Sequence, residues 1–322
     1  MRVLLWHVHG AWTTAFVQGR HDYLVPVTPG RDTYGLGRAR TYRWPDAVAE
    51  VAPSGLAGAG VDVVVLQRPE EEELAGRWLR RRIGRDVPAV YVEHRTPDGG
   101  VPDSRHPMAD RDDLRVVHVT HFNALFWDTG ATRTTVVEHG IPPPRARYTG
   151  DLPRIAAAVN EPARRWRVAG TDLLPRFAAV APVDLYGIGT TGLPDRLGLP
   201  ADRLRTYEDP PQWRLHEALA RHRVYLHPFR WTSLGLSLLE AMAMGMPVVG
   251  LATTEAVAAV PPDAGVLSTD VEALVSAVQW LCADPDAARE LGAAGREAAQ
   301  ARYGLARFLG DWDRLLEEDA CG

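Results

Sequence analysis

The sequence predicts an α/β fold made of two doubly wound domains. Runs rich in Val, Ile and Leu, bounded by Gly, Pro or Asp, recur along the chain, with helix-like segments between several of them. Such runs are typical of strands buried on both faces of a parallel sheet, and their alternation with helices is typical of the α/β class. A proline-rich segment at residues 140–154 interrupts the alternation. Because consecutive prolines cannot continue a helix or a central strand, this segment predicts a connector between domains.

The N-terminal half supplies six predicted strands and two predicted helices. The strands lie at residues 2–8, 23–27, 61–67, 87–94, 114–120 and 134–140. The helices lie at residues 44–52 and 71–83. We therefore predict a Rossmann-like domain over residues 1–150.

The C-terminal half resumes the same alternation. Predicted strands lie at residues 183–189, 223–229 and 246–250, and predicted helices at residues 210–222, 233–244, 271–283, 287–303 and 305–318. We predict a second Rossmann-like domain over residues 151–304. The helix within residues 305–322 is expected to pack back toward the first domain. Two such domains imply a cleft between them, with ligands beyond the carboxyl ends of the strands.

The composition excludes several classes of protein. The 322 residues are 46% hydrophobic and 24% charged, with a formal net charge of -5, so there is no basic surplus to meet a nucleic acid backbone. All 36 basic residues are arginine, so a phosphate site must use Arg, backbone N–H groups or helix ends. The two cysteines, Cys282 and Cys321, form no metal-binding or disulfide pattern. No run is long enough to span a membrane, and we expect a cytoplasmic protein for which membrane association is unlikely.

Residues 231–250 pose a specific question. They read "WTSLGLSLLEAMAMGMPVVG", a helix that is apolar all round, with Thr232 and Ser233 as candidate N-caps and Gly245 as a stop. Such a helix is normally buried, so its one carboxylate, Glu240, needs a partner. That partner is either a protein Arg or N–H group, or a ligand hydroxyl. The helix begins with a glycine and no acid, which is typical of an anion site.

The stretch "TSLGLSLLEAMAMGMPVVG" at residues 232–250 resembles the signature of retaining glycosyltransferases of family 4, which have the B-type fold of two Rossmann-like domains. Residues 136–141, 170–178, 215–229 and 291–308 also resemble segments of that family. The N-terminal half is similar to the family only in layout. The resemblance implies transfer of a sugar from a nucleotide diphosphate sugar, with the donor in the C-terminal domain and the acceptor in the N-terminal one.

The resemblance also implies roles for residues of the C-terminal half. Glu240 matches the glutamate that accepts hydrogen bonds from the donor ribose, and Gly235 and Leu236 match positions that face the diphosphate and sugar. Tyr207 and Glu208 match the region of the base. Thr232 and Ser233 are further donor-site candidates.

Two departures from the family pattern concern the charged residues. Thr232 stands where the family has a glutamate that contacts the donor sugar. The family's Arg and Lys pair on the diphosphate has no lysine counterpart, and Arg164, Arg165 and Arg167 stand near the expected place. We expect at least one of these arginines, with Arg165 and Arg167 as the leading candidates, to neutralise the leaving diphosphate; otherwise all three are solvated.

The ends of predicted strands in the N-terminal half supply further candidates. Gly10 follows the first strand and matches a glycine-bearing loop near the donor phosphates, beside His9 and Trp12 as acceptor-site candidates. Glu93 and His94 end another strand. Many family members have a histidine near His94 that lines the acceptor site, and a strand-end histidine bonded to backbone is the equally open alternative.

The function that the resemblance implies is sugar transfer with retention and without a metal ion, and we expect a small soluble acceptor and no cofactor. Because positioning and charge stabilisation carry such a reaction, no nucleophile constellation is required. The alternatives are a sugar-nucleotide epimerase or a pseudo-glycosyltransferase on the same fold, and a non-catalytic partner that binds a nucleotide sugar. The absence of a GxGxxG motif disfavours an NAD enzyme.

Overall fold

The computed structural model describes residues 1–321, and of Cys321 only the backbone. The chain forms two compact units. Unit 1 consists of residues 1–142 together with the chain from Leu305 onward, and unit 2 of residues 143–304. The sequence-based boundary, after residue 150, lies further along the chain than this division.

Unit 1 contains a seven-stranded parallel sheet in the order β3-β2-β1-β4-β5-β7-β9. Its strands are β1 (Arg2–Leu5), β2 (Asp22–Pro26), β3 (Val48–Val51), β4 (Val63–Leu66), β5 (Ala89–Glu93), β7 (Arg115–His118) and β9 (Arg133–Val136). A separate pair joins β6 (Ser104–Arg105) to β8 (Trp127–Asp128). The connecting helices are α1 (Gly10–Phe16), α2 (Glu70–Leu79) and α3 (His121–Phe126). All four residues of β4 are buried, as expected of a strand covered on both faces.

Unit 2 contains a six-stranded parallel sheet in the order β12-β11-β10-β13-β14-β15. Its strands are β10 (Leu152–Ala158), β11 (Val183–Gly187), β12 (Leu204–Glu208), β13 (His222–His227), β14 (Val248–Leu251) and β15 (Gly265–Ser268). Its helices are α4 (Pro162–Arg165), α5 (Leu174–Ala178), α6 (Leu193–Leu197), α7 (Gln212–Leu219), α8 (Leu236–Met244), α9 (Ala256–Ala259), α10 (Val271–Ala283) and α11 (Pro285–Tyr303).

Helix α12 (Leu305–Cys321) follows α11 in the sequence but belongs to unit 1. Its Trp312 ring lies 5.7 Å from that of Trp12 and 5.0 Å from that of Phe16. Asp313 forms an ion pair of 3.0 Å with Arg20, and its Oδ1 lies 3.0 Å from Nε2 of His21. The helix therefore completes the aromatic core of unit 1. Within residues 1–321, no helix is both long and apolar enough to cross a membrane.

Three sequence-based assignments of secondary structure are wrong. Residues 44–52 form no helix, because Val48–Val51 pairs with β2 as an edge strand and nine residues are too few for a helix without tertiary support. Helix α2 ends at Leu79, because Arg80 adopts a left-handed conformation with φ 57°. Strand β10 begins at Leu152, within the segment interpreted as a connector.

Helix α8 also begins later than predicted. Its N-cap is Gly235 and no side chain caps it, so Thr232 and Ser233 belong to the preceding loop. The helix ends at Gly245, whose left-handed conformation (φ 90°) favours glycine. A Cβ atom at Gly292 of α11 would lie 1.9 Å from the carbonyl oxygen of Gly245. The two glycines thus allow α8 and α11 to approach backbone to backbone.

We expect the substitution Gly292→Ala to destabilise the protein by roughly 1–3 kcal/mol or more, because the added methyl group meets a backbone atom that cannot rotate away. Thermal denaturation measures the effect. Gly310→Ala in α12 is the matched control, since a Cβ atom there meets nothing within 4 Å and alanine favours a helix. Equal melting temperatures for Gly292→Ala and the wild type would contradict the close approach.

Candidate functional site

The carboxyl edge of the unit 2 sheet brings several sequence candidates together. Strand order reverses at β10, because β11 and β12 lie on one side of it and β13 lies on the other. Crevices at such reversals are where open α/β sheets bind ligands. The segment after β10 carries Arg165, and the segment after β13 leads through Phe229 to Gly235 at the start of α8.

The amino end of α8 is built around the side chain of His227. A Cβ atom at Gly235 would lie 2.7 Å from Cε1 of His227, so the glycine lets the helix end lie directly on the imidazole. The rings of His227 and Phe229 are 4.9 Å apart, and the guanidinium of Arg165 lies 5.2 Å from the centre of the Phe229 ring. The first turn has no acidic residue. An uncapped helix end is suited to an anion.

Glu240 finds its partners on helix α7. The residue is 5% exposed, and its Oε1 accepts a hydrogen bond of 2.8 Å from Nε2 of Gln212. Its Oε2 lies 3.4 Å from Nε2 of His216, an ion-pair distance. Of the two alternatives left open, the structure shows a partner from the protein, the side-chain N–H group of Gln212.

Gln212 and His216 were not among the residues that the sequence predicted for the site. Their spacing of four residues, which puts both on one face of α7, is the signal that could have revealed them. Burial lowers the pKa of His216, but the Glu240 carboxylate more than offsets this effect, so the pKa lies above its ordinary value of 6.5. The Glu240 carboxylate is therefore held in place by two side chains of one helix.

The raised pKa of His216 gives stability a defined pH dependence. Because the folded-state pKa exceeds the unfolded one, the pair stabilises fully below about pH 6.5, and this contribution is lost as the pH rises through the folded-state value. We expect the free energy of unfolding of the wild type, relative to His216→Gln, to fall between about pH 6 and pH 9 in urea titrations. Glu217→Gln, an exposed change on the same helix, should differ from the wild type equally at all these pH values. A difference between the wild type and His216→Gln that does not vary with pH would contradict the ion pair.

The three arginines singled out in the sequence have different surroundings. Arg164 pairs with Glu161 and Arg167 with Asp172 at 3.2 Å, and their side chains are 71% and 72% exposed. The guanidinium of Arg165 lies 5.2 Å from the centre of the Phe229 ring, and the His227 ring lies 4.9 Å from the same ring. This geometry favours Arg165 over Arg164 and Arg167 as the arginine that meets an anion at α8.

The position of Glu208 requires a correction of its predicted role. Its carboxylate accepts hydrogen bonds of 2.6 Å from the backbone N–H of Gly189 and 2.9 Å from that of Thr190. These bonds lower the pKa of Glu208 to about 2. The side chain thus holds the loop after β11 rather than offering itself to a ligand. Tyr207, which is 39% exposed, stacks on Tyr186 with ring centres 4.7 Å apart.

Of the two residues that precede α8, Ser233 is buried and Thr232 is half-buried. Among the described residues, no group of three or more His, Cys, Asp or Glu side chains is arranged to hold a metal ion.

Histidines gather at the carboxyl edge of the unit 1 sheet. The rings of His9 and His94 are 4.1 Å apart. Burial, with Coulomb repulsion from Arg95 and Arg68, lowers the pKa of His9 to about 4, and burial likewise lowers that of His94 well below 6.5. His139 is 3% exposed, and burial lowers its pKa to about 3. At neutral pH these imidazoles are uncharged, so each can accept and donate a hydrogen bond to a hydroxyl group.

Two other candidates of unit 1, Trp12 and Glu93, have structural roles. Trp12 is 1% exposed and packs in the aromatic core, with its ring edge against His94. Oε2 of Glu93 lies 2.9 Å from Nε2 of His106, and its Oε1 accepts a hydrogen bond from the backbone N–H of Arg95. Both residues were predicted to bind the acceptor, but their side chains are used within the fold.

Gly10 is the first residue of α1 and lies against the ring of Tyr42, since a Cβ atom there would lie 2.6 Å from that ring. The glycine thus lets the start of α1 lie against the Tyr42 ring, and its role near the donor phosphates stays a prediction.

The sequence and the fold both have known relatives. Residues 179–284, within unit 2, match the family model described as "Glycosyl transferases group 1". No curated protein gives a significant match. A sucrose-phosphate synthase from Thermosynechococcus elongatus is 18% identical, with 99% of this chain and 98% of that chain covered and a TM-score of 0.73.

HepE from Anabaena, in complex with UDP and glucose, is 14% identical, with 98% of this chain and 99% of that chain covered and a TM-score of 0.73. A glycosyltransferase from Rickettsia africae is 12% identical, with 98% of each chain covered and a TM-score of 0.65. Such low identities establish the fold alone, and the narrower assignment to family 4 stays a prediction. The chain thus has the two-Rossmann fold of B-type glycosyltransferases, and its second unit carries the sequence pattern of glycosyl transferases group 1.

Proposed function

We propose that the protein is a glycosyltransferase that moves a sugar from a nucleotide diphosphate sugar to an acceptor hydroxyl or amine. The observation that carries this proposal is the pairing, on helix α8, of an uncapped amino end with the buried carboxylate of Glu240. Leu236 and Glu240 are separated by about 6 Å along the helix axis. A diphosphate at the helix end and a ribose hydroxyl at Glu240 fit the layout of a nucleotide.

The donor side of the reaction is supplied by unit 2. The helix end and Arg165 stabilise the charge that develops on the departing diphosphate. Gln212 and His216 orient the Glu240 carboxylate and leave its other lone pairs for ribose hydroxyls. HepE, the structural relative crystallised with UDP-glucose, makes uridine nucleotides the first to test.

The acceptor is proposed to bind at the carboxyl edge of the unit 1 sheet. There the uncharged imidazoles of His9 and His94 form a surface suited to the hydroxyl groups of a small acceptor. We further propose that transfer retains the anomeric configuration and requires no divalent metal, as the resemblance to family 4 implies. Proton NMR of the first-formed product tests retention, and the rate in the presence of EDTA tests metal independence.

A nucleotide screen by thermal denaturation tests the donor site. We expect one of UDP, GDP, ADP and dTDP to raise the melting temperature, because a ligand at 100 times its Kd stabilises the native state by about 2.7 kcal/mol. Glu240→Gln should weaken binding of that nucleotide roughly 10- to 100-fold, as expected for loss of a hydrogen bond to a charged group.

Glu217→Gln is the matched control for this substitution. It removes the same charge from an exposed position of α7 and should leave nucleotide affinity unchanged. If no nucleotide shifts the melting temperature, or if both glutamine variants bind as the wild type does, the proposed donor site is wrong.

The arginines give a second test of the site. We expect Arg165→Ala to lower nucleotide affinity by about 10-fold or more, since hydrogen bonds to charged groups contribute roughly 1.5–3 kcal/mol. Arg164→Ala should have a much smaller effect, because Arg164 is exposed and pairs with Glu161. Calorimetric titration with the nucleotide found in the screen measures both. Equal losses in the two variants would show that only the net charge matters.

A further inference from the structure

We propose that His227 is a contact of the donor diphosphate that takes up a proton as the nucleotide sugar binds, and so supplies a second positive charge at the amino end of α8. This inference rests on the proposed function of the same site. It assigns regulation by pH to donor binding and identifies the residue responsible.

The first argument is the position of the imidazole. His227 is the last residue of β13 and is 1% exposed. Its Cε1 is the nearest atom to a Cβ placed on Gly235, at 2.7 Å, and its Nδ1 and Nε2 lie 3.4 and 3.7 Å from the same point. Within residues 1–321, the buried Nδ1 atom has no hydrogen-bond partner. A buried imidazole with an unused nitrogen therefore adjoins the N-cap of an uncapped helix.

The second argument is the balance of charge around this helix end. Arg164 and Arg167 are each held by a neighbouring carboxylate, and Arg230 makes hydrogen bonds of 2.6 and 2.9 Å to Asp172. Arg165 and His227 both lie against the Phe229 ring, the guanidinium at 5.2 Å and the imidazole at 4.9 Å from its centre. Because each ionised phosphate of a diphosphate adds negative charge, a second cation would stabilise the bound nucleotide.

The third argument is that His227 is uncharged before the nucleotide binds. Burial lowers its pKa to about 4, and no charged group contributes to that shift. The elements that carry or adjoin this site hold the ionisable groups Arg165 on α4, Tyr225 on β13, Glu240 on α8, and Glu255 after β14. The imidazole is therefore uncharged near neutral pH, and an anion bound beside it would favour its protonation.

The sign of the pH dependence follows. An anion beside His227 favours the imidazolium and raises the pKa of His227 in the complex. Between the pKa values of the free and bound states, binding consumes a proton from solvent. Affinity for the nucleotide sugar therefore rises as the pH falls through the pKa of His227 in the complex.

Isothermal titration calorimetry of the full chain tests the proposal. The probe is UDP-glucose, or the sugar conjugate of whichever nucleotide the screen selects, because its bridged diphosphate lacks the terminal phosphate that titrates near pH 6. Titrations at about pH 6 in buffers of different ionisation enthalpy give the number of protons taken up. We expect net uptake in the wild type, increasing as the pH falls.

Three variants assign that uptake to a residue. His227→Gln should abolish it and weaken binding at about pH 6 by roughly 10-fold, the loss expected of one hydrogen bond to a charged group. His216→Gln should retain it, which separates His227 from the histidine at Glu240. His121→Gln, an exposed histidine of unit 1, controls for the loss of any imidazole.

Long-range ¹H–¹⁵N NMR of the His227 ring in the wild type gives a measurement that does not depend on a variant that folds. Its titration should move to higher pH when the nucleotide sugar is added. Binding without proton uptake, or uptake that persists in His227→Gln, overturns the inference and leaves the donor site intact. Failure of every nucleotide and nucleotide sugar to bind overturns the proposed function and this inference together.

Discussion

The cost of burying the Glu240 carboxylate organises unit 2 around helix α8. The helix has no polar face because it is buried from Leu238 to Met244, and a carboxylate in such a place must be hydrogen-bonded. Removing one partner of a buried charged pair costs about 3–5 kcal/mol. Helix α7 supplies the two partners, Gln212 and His216, from one face.

The amino end of the same helix has backbone N–H donors that no side chain caps. Gly235 leaves the first turn without a side-chain cap, and orphan backbone donors at a helix end need water, a side chain or a ligand. His227 forces glycine at that position, so the sequence cannot place a Ser, Thr or Asp there without a clash. The absence of a cap is thus a consequence of packing, and the site for an anion follows from it.

The sequence predicts the fold well because long β-branched runs have few alternatives to buried strands. The resemblance to B-type glycosyltransferases is confirmed by the fold. The local sequence pattern predicted a helix at Val48–Val51, but pairing with β2 makes this segment a strand. The pattern also failed at the start of α8, because a cap is defined by backbone geometry that Thr232 and Ser233 do not adopt.

Residue types at strand ends were a less reliable guide to the site. Glu93 and Glu208 both follow the pattern of ligand-binding carboxylates. Glu93 contacts His106, which lies 13 residues away in the sequence. Glu208 accepts hydrogen bonds from the loop after β11, which lies 17–19 residues away. No spacing rule connects such partners, because loop conformation brings them together. The i, i+4 pair on α7 was readable in principle, yet it became meaningful only once α7 was known to face Glu240.

The return of the chain to unit 1 affects the order in which the protein can fold on the ribosome. Unit 2 is one continuous segment, complete once Gly304 has been made. Unit 1 lacks Phe308 and Trp312, which pack on Trp12, until α12 has followed. Domains generally fold in the order in which they are synthesised. Here the N-terminal unit, although translated first, must hold an unfinished aromatic core while the unit behind it is made and folds.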